Sequence, residues 1–416
     1  MRMLVAALAL AGVGIAAFTT STASGQAVAP YVVVLADGTD VAATVDALER
    51  EQGFRADHRY TASLVGFAAR LAPRQRDAVA RAPAVASIHD DRATRLAPPA
   101  RSTRASALAT GVRRIGGGTK AATGVAVAVL DTGVDLAHPD LAALAGTNCV
   151  GGPGRRAAAV ADGHGHGTHV AGTIAGKGGI GVAPGTTVYA VKVLDDQGRG
   201  SASQLICGID WVTANAARLG IRVASLSLGM PGTPDGDCGR SSHDVLHKAI
   251  CKSVEAGVVY VVAAGNDATD IAGDVPSGYP EVLAVAAMSD TDGAPGGRGG
   301  TATCGARERD DSYASFSNYA GDAGGAAHLV AAPGVCIRSS WPGGGYRTIS
   351  GTSMAAPHVA ATVALCIASG RCAGTPAAVI RRVRADAAAH GDGFAGDEHA
   401  ALQRRHYGDL VWAGGY

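Results

Sequence analysis

The segment Gly351-Thr352-Ser353-Met354-Ala355-Ala356-Pro357-His358-Val359-Ala360 joins a polar, glycine-rich approach to a long apolar run. Small residues on both sides of Ser353 let a second backbone approach its hydroxyl closely. The apolar run predicts a buried helix over 353–369, which places Ser353 in the first turn. The unpaired N–H groups and positive dipole end of a helix N-terminus suit a developing negative oxygen. By itself, however, a serine at this position usually only caps the helix.

Two upstream segments supply partners for this serine. Residues 127–135 read Val-Ala-Val-Leu-Asp-Thr-Gly-Val-Asp, and residues 163–173 read Gly-His-Gly-His-Gly-Thr-His-Val-Ala-Gly-Thr. Together the three segments resemble the subtilisin-like serine proteases (subtilases), which carry Asp, His and Ser in this order along the chain. The resemblance covers about 110–416. It implies Ser353 as the nucleophile, His166 as its general base and Asp131 as the carboxylate that orients the imidazole.

Neighbouring residues of the same types are weaker candidates for these roles. His169 lies one turn beyond His166 on the same side of the predicted helix, and we expect it to be structural. His164 is expected to be a loop residue. Asp135 is the alternative carboxylate, but the apolar run before Asp131 and the Thr-Gly after it favour Asp131.

Three further segments resemble the parts of a subtilase that hold substrate. In Ala263-Ala264-Gly265-Asn266 the side chain of Asn266 would stabilise the oxyanion beside the backbone N–H of Ser353, although Asn266 also suits a left-handed turn. The segment Ser227-Leu228-Gly229 resembles the wall of the primary pocket, and Gly198-Arg199-Gly200 resembles the edge that pairs with extended peptide. A plain surface turn is the alternative for 198–200. For Asp274 the favoured interpretation is a solvated loop residue. The alternative is a position near the bottom of the primary pocket, where its carboxylate would favour a basic side chain of the substrate.

The fold class follows from the alternation of apolar strands with helical periodicity after Val125. Such alternation predicts a three-layer α/β fold, a mostly parallel sheet with helices on both faces, as in the subtilisin-like fold. The predicted strands are 125–131, 187–194, 221–228, 257–263 and 282–288. The predicted helices are 166–176, 201–217, 241–256, 353–369 and 376–386.

The N-terminal part of the chain has a different organisation. Residues 1–27 resemble a signal peptide, with Arg2 followed by an apolar run too short to span a bilayer. Residues 28–97 have β-α-β-α-β order and resemble the inhibitory prodomain of subtilases, with a generic ferredoxin-like binding domain as the alternative. A Pro-, Ser- and Ala-rich processing linker follows at 98–109, and the catalytic domain is expected over 110–416.

Eight cysteines follow Thr110, and none forms a CxxC pair, which argues against zinc or thioredoxin-like chemistry. Export to an oxidising compartment predicts disulfides instead. Order and proximity favour the pairs Cys149–Cys207, Cys238–Cys251, Cys304–Cys336 and Cys366–Cys372, although sequence alone leaves the connectivity open.

Composition and the family pattern also limit cofactors and partners. The formal net charge of +1 gives no indication of nucleic-acid binding, and no later apolar run suggests a membrane helix. The resemblance is closest to the proteinase K-like branch, yet Leu329 stands where that branch carries a calcium-liganding carboxylate. We therefore predict no required metal and at most weak calcium binding by backbone carbonyls around Tyr279 and Val282.

The sequence thus predicts a secreted, monomeric serine endopeptidase that cleaves peptide or protein substrates through an acyl-enzyme. It would be made as a self-processing precursor, with its own prodomain as intramolecular inhibitor. A serine esterase is disfavoured because no Gly-x-Ser-x-Gly surrounds Ser353 and the order of the triad differs. An inactive subtilase-like binding protein is disfavoured because every catalytic position is filled.

Overall fold

The computed structural model describes residues 27–96, 100–103, 110–151, 159–304, 307–390 and 405–416. The predicted signal segment, apart from its last residue, and most of the predicted processing linker lie outside these ranges. Within them, no helix combines the length and apolar character needed to cross a membrane.

The N-terminal unit is a four-stranded antiparallel sheet in the order β2-β3-β1-β4 with two helices. Its elements are β1 (Ala29–Leu35), α1 (Val41–Gln52), β2 (Ala56–Tyr60), β3 (Gly66–Leu71), α2 (Pro73–Ala80) and β4 (Val85–Asp90). The predicted ferredoxin-like unit is confirmed, with one strand more than expected. Strand β2 was missed because its five residues are mostly polar and only its two ends are buried.

The central sheet of the larger unit has the order β16-β15-β13-β11-β7-β9-β8, with β17 also paired to β15. All its pairings are parallel except that of the short β16 with β15. Its strands are β7 (Ala126–Asp131), β8 (Ala143–Asn148), β9 (Val188–Lys192), β11 (Ile221–Leu226), β13 (Val259–Ala263), β15 (Leu283–Ser289), β16 (Ser312–Tyr313) and β17 (Leu329–Pro333). Smaller sheets contain β5 (Ala93–Arg95), β6 (Ala100–Thr103), β10 (Arg199–Ser201), β12 (Met230–Pro231), β14 (Asp274–Val275), β18 (Ile337–Trp341) and β19 (Gly345–Ser350).

Helices cover both faces of this sheet. They are α3 (Thr110–Arg114), α4 (His166–Ala175), α5 (Ala202–Leu219), α6 (Val245–Glu255), α7 (Ala323–Ala326), α8 (Thr352–Ala368) and α9 (Pro376–His390). Strand β7 shows why two layers form, because Val127 and Val129 enter the core that holds α4 and α8, whereas Ala128 and Leu130 enter the core that holds α5 and α6. Successive side chains of a strand point to opposite faces, so one fully buried strand supports both layers.

The predicted three-layer α/β fold is therefore confirmed, and each predicted strand and helix is present with ends shifted by a few residues. The sequence missed β8, β16 and β17 of the central sheet and the hairpin formed by β18 and β19. The second strand of this hairpin, β19, is the polar, glycine-rich approach to Ser353. Its pairing brings the chain from the sheet into Gly351, directly before α8.

Candidate active site

Four predicted side chains belong to elements that meet at the carboxyl edge of the central sheet. Asp131 is the last residue of β7, and Asn266 follows β13 by three residues. His166 opens α4 and Ser353 is the second residue of α8. In parallel sheets the loops at this edge collect functional groups, because every strand points its carboxyl end towards them.

Asp131 and His166 form a direct hydrogen-bonded pair. The imidazole Nδ1 lies 2.8 Å from Oδ1 and 3.0 Å from Oδ2 of the carboxylate, and both residues are buried. A carboxylate at Nδ1 keeps a proton on that nitrogen, so Nε2 is left as the basic atom. The arrangement therefore suits general-base chemistry at Nε2.

A second aspartate, which the sequence analysis did not single out, holds this pair in position. Asp162 accepts hydrogen bonds from the N–H and the hydroxyl of Thr168 at 2.9 and 2.7 Å, and from Thr132 Oγ1 at 2.8 Å. It thereby ties the residue after Asp131 to the first turn of α4. Gly167 completes the contact, since a Cβ there would stand 2.1 Å from the carbonyl oxygen of Gly133. The sequence signal for Asp162 is weak, because it stands three residues before Gly165, the N-cap of α4, although its carboxylate accepts from the N–H of Thr168 as a capping side chain would.

Ser353 is 2% exposed and is held against Ser227 by two hydrogen bonds. Its hydroxyl donates to the carbonyl oxygen of Ser227 at 3.2 Å, and Ser227 Oγ donates to the carbonyl oxygen of Ser353 at 2.9 Å. Gly351 adopts φ of 154°, a backbone conformation that side chains disfavour, and this lets the chain turn into α8. The predicted nucleophile thus lies beside the predicted wall of the primary pocket.

Asn266 is oriented by Thr352. Its Oδ1 accepts hydrogen bonds from the backbone N–H and from the hydroxyl of Thr352, both at 2.9 Å. The Nδ2 end faces the start of α8, because a Cβ on Gly351 would stand 3.2 Å from it. The amide donor is therefore aimed beside Ser353. The sequence also allowed a left-handed turn conformation for Asn266. That conformation is adopted by the preceding residue, Gly265, with φ of 106°, and Asn266 does not have a positive φ.

The rival residues have other partners. His169 is fully buried, and its Nε2 donates towards the carbonyl oxygens of Ile337 and Arg347 at 3.0 and 3.2 Å. Burial, together with the nearby His166, lowers the pKa of His169 to about 3. Asp135 accepts from the backbone N–H of Gly343 at 2.9 Å and lies in a loop. Neither residue is in the Asp131–His166 contact.

A segment of the same chain occupies the predicted peptide-binding edge. Strand β5 pairs antiparallel with β10, and the N–H of Leu96 donates to the carbonyl oxygen of Gly198 at 3.0 Å. On its other side Arg95 exchanges two backbone hydrogen bonds with Gly229, each 3.4 Å long. Both predicted substrate segments, 198–200 and 227–229, therefore contact one extended strand, which lies between them as an added strand would.

A pocket opens beneath this strand. It is lined by Arg95, Leu228, Gly229, Met230, Pro231, Ala263, Gly265, Asp267 and Asp274. Of the three residues predicted at 263–265, Ala263 and Gly265 line the pocket. Ala264 does not, because its side chain points to the opposite face of the strand and packs in a separate buried cluster. Asp274 also lines the pocket. The sequence favoured a solvated loop position for this residue, so its less favoured alternative is the one observed.

The structure contains four disulfides, Cys149–Cys207, Cys238–Cys251, Cys304–Cys336 and Cys366–Cys372. These are the pairs that order along the chain favours. Cys238 and Cys251 lie near His247 and Glu281, but their sulfurs are bonded to each other, so this cluster does not have the thiolates of a metal site. His247 instead lies between Asp235 at 2.9 Å and Glu281 at 2.7 Å.

Comparison with known proteins gives consistent matches. A model of the subtilase family matches residues 122–404, and a model of the peptidase inhibitor I9 family matches residues 30–97. Proteinase R of Parengyodontium album is 35% identical over 360 residues, which are 84% of this chain and 82% of that protein. An alkaline protease of Shouchella clausii is 36% identical over 306 residues, 71% of this chain and 67% of that protein. The crystal structure of a cold-adapted subtilisin-like serine proteinase is similar with a TM-score of 0.55 and 28% identity, covering 74% of this chain and 99% of that one.

Proposed function

This chain belongs to the subtilase family of serine endopeptidases, and we propose that Asp131, His166 and Ser353 are its catalytic triad. The observation that carries this assignment is the 2.8 Å contact between Asp131 and Nδ1 of His166, buried at the strand edge where α8 presents Ser353. The neighbouring histidine and aspartate have other hydrogen-bond partners, which supports this choice among the candidates.

In the proposed reaction Ser353 Oγ attacks the carbonyl carbon of a peptide bond while Nε2 of His166 takes the hydroxyl proton. Asp131 stabilises the resulting imidazolium through Nδ1. The imidazolium then protonates the leaving amine, and the acyl-enzyme is released when water attacks with His166 again as base. Without substrate the serine hydroxyl donates to Ser227, and catalytic hydrogen bonds commonly form only in the substrate complex.

We assign oxyanion stabilisation to Nδ2 of Asn266 and the backbone N–H of Ser353. Thr352 fixes the amide by two hydrogen bonds to Oδ1, so the donor is positioned before the reaction begins. A preorganised donor stabilises the charge that appears only in the transition state, and it therefore acts on kcat.

Residues 28–97 are proposed to be the inhibitory prodomain, and the chain has a match to the I9 inhibitor family over this region. Strand β5 would block the cleft because it uses the backbone hydrogen bonds of Gly198 and Gly229 that a substrate needs. The rest of the unit binds α5. Asp91 accepts from the N–H and hydroxyl of Ser203 at 2.8 and 2.6 Å, and Asp210 accepts from the N–H of Ser63 at 2.7 Å.

The processing bond is proposed to lie between Leu96 and Ala100. Before this interval the chain pairs with β10 and Gly229, on the pocket side of Ser353. After it, β6 pairs with β19, the strand that leads directly into α8. A chain held on both sides of the nucleophile supports cleavage in the interval between the two paired strands, at the start of the predicted linker.

We further propose that the enzyme is exported and acts as a monomer on peptide or protein substrates. The support is the signal-like sequence of residues 1–27 and the four disulfides, which suit an oxidising compartment. The esterase and inactive binding-protein alternatives are not favoured, since the relatives named above are proteases.

Catalysis by this triad requires no metal, and we propose that calcium binding is at most weak. Leu329 is fully buried in β17, at the position where a related site would need a carboxylate. The carbonyl oxygen of Tyr279 already accepts from the N–H of Val282 at 3.3 Å, which leaves it less available to an ion. Addition of a chelator should leave the thermal midpoint nearly unchanged, and a large fall would count against this proposal.

The test of the proposed function compares intact masses of the secreted wild type and Ser353→Ala. Only the wild type should lose the segment that ends between Leu96 and Ala100. An exposed-serine control, Ser315→Ala, should be processed like wild type. If Ser353→Ala matures equally fast with no other protease present, self-processing by this serine is wrong.

A further inference from the structure

The pocket beside Ser353 holds the carboxylate of Asp274 and, in the precursor, is also lined by Arg95 of β5. Among the described residues, the carboxylate of Asp274 has one hydrogen-bond partner, Ser277 Oγ at 3.3 Å, and it forms no salt bridge with Arg95 or with any other cation. The other carboxylate of the pocket, Asp267, lies at an exposed position and adds negative charge. A half-buried carboxylate with a single long hydrogen bond is poorly compensated for its lost hydration.

The main chain places Asp274 on the path of a substrate side chain. It belongs to β14, where it pairs with Pro231 of β12, so this two-stranded ribbon closes the pocket. Its Oδ1 lies against Gly229, because a Cβ on that glycine would stand 2.7 Å away. Gly229 is also the residue that exchanges backbone hydrogen bonds with β5. A side chain that enters the pocket from a strand on this track therefore meets the carboxylate.

The charge state of Asp274 agrees with an unfilled cation site. Burial raises the pKa of its carboxyl to about 7, and the negative charge of Asp267 contributes in the same direction. The ionised form is then disfavoured until a positive group arrives. A lysine or arginine side chain would supply that group, whereas a neutral side chain would leave the carboxylate uncompensated or protonated.

We propose that Asp274 makes this pocket prefer lysine or arginine over neutral side chains at the residue whose carbonyl Ser353 attacks in other proteins. The single self-processing cut between Leu96 and Ala100, an interval without lysine or arginine, is instead directed by the strand pairing on both sides of it. The inference rests on the proposed function, since it assigns the substrate class of the same site. A purely structural role is less consistent with the geometry, because the strand pairing of β14 and the turn bond from the N–H of Gly278 use only the backbone of Asp274.

The experiment measures kcat/KM of the mature enzyme on two matched peptide amides. They differ only in the residue before the cleaved bond, which is lysine or its uncharged analogue norleucine. Wild type, Asp274→Asn and Glu255→Gln are compared, the last being a matched charge change at an exposed residue of α6. Active sites are counted with a serine-directed phosphonate, so that the amount of competent enzyme is known for each protein.

We expect wild type and Glu255→Gln to prefer the lysine peptide, and Asp274→Asn to reduce the lysine-to-norleucine ratio by about 10- to 100-fold. In wild type the ratio should rise between pH 6 and 8, as a carboxyl with a pKa of about 7 ionises. A pH effect that is common to both substrates cancels in the ratio. This pH dependence should vanish in Asp274→Asn.

A wild-type preference for norleucine, or a ratio unchanged by Asp274→Asn, would overturn the assignment of Asp274 and leave the proposed endopeptidase intact. Failure of the proposed function would look different: neither peptide would be cleaved, and the phosphonate would not label Ser353.

Discussion

At the scale of single residues, Asp131 acts through the imidazole of His166. Asn would retain the shape of the side chain but present a neutral amide to Nδ1, where the carboxylate now lies at 2.8 and 3.0 Å. The favoured tautomer would then place the proton on Nε2, the atom that must accept one. We expect Asp131→Asn to lower kcat by about 10⁴-fold with little change in KM.

The control for this substitution is the rival carboxylate. Asp135→Asn makes the same chemical change at a loop residue whose Oδ2 accepts from the N–H of Gly343. Steady-state kinetics on one peptide substrate should give near wild-type kcat for this variant. Equal losses in both variants would mean that the assignment of Asp131 over Asp135 is wrong.

Asn266 presents a second test at this scale. Removal of its amide in Asn266→Ala deletes the oxyanion donor, and we expect a kcat loss of about 10²–10³-fold. KM should change little, because the charged oxygen exists only in the transition state. The substitution also removes the acceptor for Thr352, so the thermal midpoint is measured beside the kinetics. A rise in KM with unchanged kcat would contradict the oxyanion role.

At the scale of elements, the N-terminus of α5 is one point of attachment for the proposed prodomain. Asp91 accepts two hydrogen bonds from Ser203, and it places a negative charge at the positive end of that helix. A lost cap typically costs about 1–2 kcal/mol, a factor of about 5–30 in an equilibrium. Asp91→Ala should therefore shorten the lag between processing and the appearance of activity by a similar factor.

The neighbouring Asp90→Ala is the matched control for this prediction. Asp90 is exposed at the end of β4, and its backbone pairs with Tyr31 rather than with α5. In Asp90→Ala the lag between processing and the appearance of activity should equal that of wild type. The lag is measured as the time from the appearance of the processed band to the appearance of activity. A lag in Asp91→Ala equal to that of the control would show that this contact does not limit release.

Local sequence patterns predicted the elements well and their supporting contacts poorly. The strand that ends at Asp131 and the helix that begins at His166 have strong periodicity and fixed motifs, so both were found with their residues. Asp162 was missed because its partners, Thr132 and Thr168, are brought to it by the sheet and the helix start. The hairpin before Ser353 was missed because its polar residues pair only in three dimensions.

At the scale of the whole molecule, the disulfides differ in how much chain they close. Cys149 and Cys207 are 58 residues apart, whereas Cys366 and Cys372 are 6 apart. In the chain-entropy model the longer loop stabilises by about 4 kcal/mol and the shorter by about 2. Replacement of each pair by alanine, in the Ser353→Ala background, should lower the unfolding free energy in that order. Urea titration measures both, and a larger loss for the short loop would contradict the entropic account.

The organisation of the chain also explains why the N-terminal unit folds without disulfides. Its helices cover one face of its sheet, with Val33 and Leu35 in that core, while Val32 and Val34 pack on the other face in the core that contains α5. The larger unit thus completes the burial of the smaller one. This two-sided burial is a property of the whole precursor, and the sequence of residues 28–97 alone indicates only the alternation that permits it.

The central claim is that His166, held by Asp131, activates Ser353. Its most direct test is labelling of the mature protein with a serine-directed phosphonate, followed by peptide mapping. We predict one label per molecule, on Ser353, and near-complete loss of labelling in His166→Ala that an added protease has freed of its N-terminal unit and that remains folded by circular dichroism. An active protein labelled on a different serine, or labelling of Ser353 that persists at the wild-type rate without His166, would contradict the account.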